Sequence, residues 1–196
     1  MHISEGIMSW QVLAAGGAVS AAGTAVGLKM LDQEKVARTG ILSAAFFVAS
    51  LIHIPLGPGS VHLILNGLVG LILGWAAFPA ILIALLLQAI MFQFGGLTTL
   101  GVNTLIMAVP AVTCYYVYRL FPRHPLWQFV AGFSGGALAV FLSAVLAAAV
   151  LIFSEKNFWQ MAVMIVTAHL PIMAVEGLIS GFAVTFLMKV KPDLLG

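Results

Sequence analysis

The chain opens Met-His, and those two residues have a defined coordination chemistry. A free terminal amine, the amide nitrogen of residue 2 and Nδ1 of a histidine at residue 2 close fused chelate rings around one ion. The amide must lose its proton, which near neutral pH only a strongly polarising late transition metal can drive. Three nitrogens in a plane suit Ni(II) or Cu(II), and Co(II) can accept them, while Mg(II) and Ca(II) prefer oxygen. A neutral imidazole at the same depth would complete the square. His62, just after "PLGPGS", is best placed to supply it, with Asn66 one turn further along a helix to orient it. His53, in "HIP", is the competing ligand, or simply closes the preceding helix.

The other ionisable groups in apolar surroundings are His169 and Glu176, seven residues apart and so on one face of a helix. Ionisable groups are costly in hydrocarbon and are functional candidates by default. These two read as a buried acid and base, a proton relay, or polar groups outside the ligand set, with His169 also a competing ligand like His53. The run "QFGGLTTLGVNT" contains Asn103, three glycines and three threonines, a composition suited to irregular backbone lining a cavity or to a capped turn. Cys114 is the single cysteine, which excludes an intrachain disulfide and a multi-thiolate zinc site.

The elements that must position these residues are membrane-spanning. Of 196 residues, 62 % are apolar and only 7 % charged, with a mean hydropathy of +1.15. Soluble domains carry about 25 % charged residues. The apolar runs are apolar all round, which excludes a peripheral amphipathic binder, and they lack the alternation of an outer-membrane barrel. The expected fold is all-α: one integral-membrane domain over 1–196, with a tail at 1–6 and a bundle at 7–190. Seven spans are predicted, at 7–28, 39–55, 61–77, 79–94, 100–120, 126–153 and 158–189, the last with Pro171 as a kink or a break.

Lys29, Lys35, Arg38, Arg119, Arg123, Lys189 and Lys191 fall on one side of that scheme and Lys156 alone on the other. The N-terminus is therefore expected outside and the C-terminus in the cytoplasm. "MHISEGIMSW" has no basic leader segment, so the tail is expected to be retained, with Met1 keeping a free amine. "LDQEKVARTG" is expected as a charged loop, a solvated turn or a docking surface for a cytoplasmic partner.

Four segments, "MHISEGIMS", "SLIHIPLGPGSVHLILNGLVGLILGWAAFPAIL", "LLLQAIMFQFGGLTTLGVNTL" and "AHLPIMAVEGLISGF", together resemble the CbiM/NikM family. Its members are the substrate-capture components of energy-coupling-factor importers for cobalt and nickel. The resemblance runs over nearly the whole chain. It implies a seven-helix bundle in a bacterial or archaeal plasma membrane, with Co(II) or Ni(II) as the transported substrate. The implied ligands are the Met1 amine, the His2 amide nitrogen, His2 Nδ1 and a ring nitrogen of His62. The implied partners are a membrane coupling subunit, two cytoplasmic ATPases and often a small accessory membrane protein; nucleic acid is not among them. The absence of a Gly-Lys-Ser/Thr phosphate loop fits ATP hydrolysis on other chains. Two other readings remain: an intramembrane hydrolase using His169 and Glu176, and a scaffold whose histidines only join helices.

Overall fold

The computed structural model describes residues 2–56, 59–122 and 124–195. Seven helices and one short hairpin follow in chain order: α1 (Trp10–Lys29), α2 (Gln33–Ala49), β1 (His53–Leu56), β2 (Gly59–His62), α3 (Asn66–Leu73), α4 (Ala77–Phe92), α5 (Leu100–Tyr118), α6 (Pro125–Ser154) and α7 (Trp159–Val190). Five stretches are long and apolar enough to cross a membrane: α1, Asn66–Phe92, α5, Trp127–Ser154 within α6, and α7. The surface agrees with a membrane setting, since Ile41, Leu120, Phe153, Met164, Phe182 and Phe186 stand exposed on it. A soluble monomer would not display apolar side chains so widely. Tryptophans sit near both ends of the helices, Trp10 and Trp159 at the starts of α1 and α7, and Trp75 and Trp127 at the opposite end. That is the pattern of two interfacial belts.

Two expected elements differ in their limits. The run at 61–77 was expected as one helix, but α3 covers only Asn66–Leu73, about 12 Å of rise. Its first residues instead close an antiparallel hairpin, in which His53 is paired with His62 in the register, and an irregular stretch follows. Leu65 there adopts a left-handed conformation (φ 55). The helix ends at Gly74, which also has positive φ (56) and leads through one helical turn into α4. Periodicity cannot distinguish an apolar irregular segment from a helical one when both are buried.

The second difference is α2, expected at 39–55. It starts six residues earlier because Asp32 caps it, accepting from the Lys35 amide at 2.8 Å and pairing with the Lys35 ammonium at 2.8 Å. Most of the expected charged loop is therefore the first part of this helix. α7 runs unbroken through Pro171.

α3, α4 and α5 form the buried centre, and α1 and α7 lie at the periphery. Close backbone approach makes this possible. A Cβ on Gly70 of α3 would lie 2.0 Å from the Ala111 carbonyl oxygen of α5, and one on Gly67 would lie 2.8 Å from Gly136 Cα of α6. At the end away from the hairpin, Met30, Lys35, Arg38, Arg119 and Asp193 line one cavity of about 340 Å³.

Candidate metal centre

The tail preceding α1 is folded against the bundle rather than extended from it. Asn103 near the start of α5 grips the peptide unit of Ile3 from both sides: its Oδ1 accepts from Ile3 N at 3.0 Å, and its Nδ2 donates to Ile3 O at 3.1 Å. The same Nδ2 reaches Thr99 Oγ1 at 3.1 Å. Ile3 and Met8 are buried in the core. Glu5 lies over the loop between α4 and α5, accepting from the Thr98 amide at 3.0 Å. That bond holds its carboxyl below the usual carboxylate range.

The loop can carry the tail because of its two glycines. Both have positive φ (76 at Gly95, 146 at Gly96), and a Cβ on Gly96 would fall 2.1 Å from Glu5 Cγ. The polar run containing Asn103 is thus the seat of the tail.

With the tail so placed, the rings of His2 and His62 lie 4.9 Å apart, centroid to centroid, tilted by 32°. Each ring faces an acceptor that fixes its proton. His2 Nε2 lies 2.7 Å from Gln88 Oε1. A carbonyl oxygen only accepts, so this nitrogen is the donor and the lone pair is on Nδ1. His62 Nδ1 lies 2.8 Å from the Leu63 carbonyl oxygen, which leaves the lone pair on Nε2. The two imidazoles therefore carry opposite tautomers. Met1 lies outside the described residues, as does the side chain of His53.

Asn66 and Glu176 support the segment that bears His62. Asn66, fully buried, donates to Met107 O and to Ser143 Oγ, both at 2.9 Å, and so ties α3 to α5 and α6. The expected one-turn relation to His62 does not arise, since His62 lies on β2 and the helix begins at Asn66. Glu176 of α7, also fully buried, accepts from the Ile64 amide and from the Leu65 amide at 2.9 and 3.0 Å. These amides have no helical partner where the chain breaks before α3. A carboxylate there satisfies them and faces the positive end of the helix.

His169 does not pair with Glu176. Its Nδ1 bonds Ile165 O at 2.7 Å one turn earlier, and its buried Nε2 has no hydrogen-bond partner among the described residues.

Gln88 and Ser50 were not foreseen. Gln88 is completely buried in α4, where it is the lone polar residue in "AFPAILIALLLQAIMF". That isolation was the available signal, because an amide survives in such a place only with its partners supplied. Among the described residues no three His, Cys, Asp or Glu side chains converge.

Comparison with known proteins agrees over the full length. The sequence profile of the CbiM family, described as "Cobalt uptake substrate-specific transmembrane region", matches residues 2–194. The chain is 44 % identical over 199 residues to a putative metal transport protein of Haemophilus influenzae, covering all of this chain and 97 % of that one. It is 29 % identical to the cobalt transport protein CbiM of Sorangium cellulosum, covering 100 % of this chain and 94 % of the relative. A crystal structure of a truncated transition metal transporter superposes with a TM-score of 0.76 at 28 % identity, covering 97 % of this chain and 99 % of that one. With a helical membrane fold, a tail pinned beside a pair of imidazoles and a family profile matched from residue 2 to residue 194, the chain belongs to the CbiM family of cobalt-uptake substrate-specific transmembrane regions.

Proposed function

We propose that the chain is the substrate-capture subunit of an energy-coupling-factor importer, and that it takes Co(II) or Ni(II) from outside the cell in a planar four-nitrogen site. The ligands are the Met1 amine, the deprotonated His2 amide nitrogen, His2 Nδ1 and His62 Nε2. The observation that carries this reading is the His2–His62 pair, 4.9 Å apart, with its lone pairs on Nδ1 and Nε2 respectively. Nδ1 of His2 is the ring nitrogen from which a chelate with its own amide can close. A planar all-nitrogen set favours late transition metals over oxygen-seeking cations.

The chain spans the membrane seven times, the hairpin and α3 together making the third crossing. The His-bearing end faces outside, and the end carrying Lys35, Arg38 and Arg119 faces the cytoplasm. A membrane coupling subunit, two ATPases and a small accessory membrane subunit act with it in the plasma membrane. The cavity beside Lys35, Arg38 and Arg119 lies on the cytoplasmic side, where such partners would approach.

Binding releases protons from the amine and the amide and requires a neutral imidazole, so affinity falls steeply on acidification. An affinity for Ni(II) that stayed constant from about pH 8 to about pH 5 would contradict this ligand set. The decisive experiment is metal analysis of the purified protein beside a variant with one residue added before Met1. The wild type should hold one ion per chain and the variant none, although every side chain is present in both. Equal loading would overturn the reading.

A further inference from the structure

The contact between His2 and Gln88 continues inward to a fixed end. Ser50, which follows α2, donates its hydroxyl proton to the Phe47 carbonyl oxygen at 2.7 Å. Having spent its only proton, Ser50 Oγ can act only as an acceptor towards Gln88, and Gln88 Nε2 lies 2.7 Å from it. The amide of Gln88 must then point its NH2 at Ser50 and its oxygen at His2, where the distance is again 2.7 Å. Ser50 and Gln88 are essentially inaccessible to solvent, at 1 % and 0 % exposure, so water has little access to substitute for either partner. The polarity of the whole chain is set by a backbone carbonyl, which cannot reverse.

We propose that Ser50 and Gln88 are positioning residues: a relay from the Phe47 carbonyl through both side chains that holds the His2 proton on Nε2 and so keeps Nδ1 ready for the ion. This rests on the proposed ligand set for its consequence, but not for its existence. The relay predicts a property of the metal-free protein. It also predicts that Ser50, through its bond to Gln88, affects capture. Without the hydroxyl, the Gln88 amide has no reason to keep its orientation. Turned over, it offers NH2 to the ring and favours the tautomer that blocks Nδ1.

The test uses the full chain in lipid nanodiscs with nitrogen-15-labelled histidine. The tautomer of His2 is read from its ring-nitrogen chemical shifts without metal, and Ni(II) affinity is measured on the same samples. Wild type should show a single form protonated on Nε2. Ser50→Ala should introduce an Nδ1-protonated fraction and weaken Ni(II) binding about threefold. Gln88→Leu should weaken it about tenfold or more, within the range for partners of metal-bound histidines. Ser50→Thr keeps the hydroxyl and should restore both readouts.

An unchanged His2 tautomer in Ser50→Ala overturns the relay whatever the affinity does, and so does a loss that Ser50→Thr fails to restore. If wild type binds no Ni(II), the proposed function fails, and the tautomer measurement still decides for or against the relay.

Discussion

α6 and α7 approach each other through Gly132, Gly136, Gly177 and Gly181, where an added Cβ would sit 2.5–3.0 Å from the facing helix. The segments around His2 and His62 meet through hydrogen bonds instead: Asn103 to the Ile3 peptide, Gln88 to His2, and Glu5 to Thr98. The first region is specified by shape and the second by donors and acceptors. In a membrane both solutions are available, because close packing substitutes for the missing hydrophobic drive and polar groups need partners that lipid cannot supply. The two regions should therefore respond to opposite kinds of substitution.

The largest effect is expected from His62→Ala, which removes a proposed ligand without disturbing the helix pair. Ni(II) binding should weaken by more than about a hundredfold, beyond the range for outer partners, with thermal unfolding little changed. Calorimetric titration beside an unfolding curve measures both.

Glu176 challenges the division, since it belongs to α7 but serves the hairpin side. Glu176→Leu strands the amides of Ile64 and Leu65, at about 1–3 kcal/mol each. It should lower both the unfolding temperature and Ni(II) affinity, whereas Glu176→Gln, which keeps an acceptor, should recover much of each. Loss of stability with intact affinity would show that Glu176 belongs with the packing of α7 alone.

Gly132→Ala tests the other side. Its new Cβ would fall 2.8 Å from Ser180 O and 2.9 Å from Val184 Cβ, at a cost of about 1–3 kcal/mol. The unfolding temperature should drop while the surviving folded protein binds Ni(II) normally.

The smallest effect is a pH dependence at the rim. The Glu5 carboxyl is held below its ordinary value by the Thr98 amide. Its contribution to docking the tail is therefore complete above the unfolded pKa, near 4.3, and is lost as pH falls through the lowered folded value. Protection of the Thr98 amide, taken relative to its intrinsic exchange rate at each pH, should fall over that acid range in wild type. In Glu5→Gln the acid-dependent change should be absent.

The same division explains what the sequence disclosed. α1, α4, α5, α6 and α7 lie within three residues of their expected limits, since an apolar run of span length has few other ways to satisfy its backbone. His2, His62 and Asn103 stood out as polar groups in a chain with few of them, and the structure brings all three to one end of the bundle. The irregular segment ahead of α3 was illegible because its support comes from Glu176, 112 residues after Ile64. Nothing local to "VHLIL" records that contact. Gln88 was visible as a lone amide, but its role depends on Ser50, 38 residues earlier.

Asn103 holds the peptide unit of Ile3 and ignores its side chain. Such a clip works as a ruler. It fixes a position along the main chain, while the Ile3 side chain is held separately by its burial in the core. Under the proposed ligand set, a purification tag fused at the front would carry the leading amine out of reach without removing either partner of the clip.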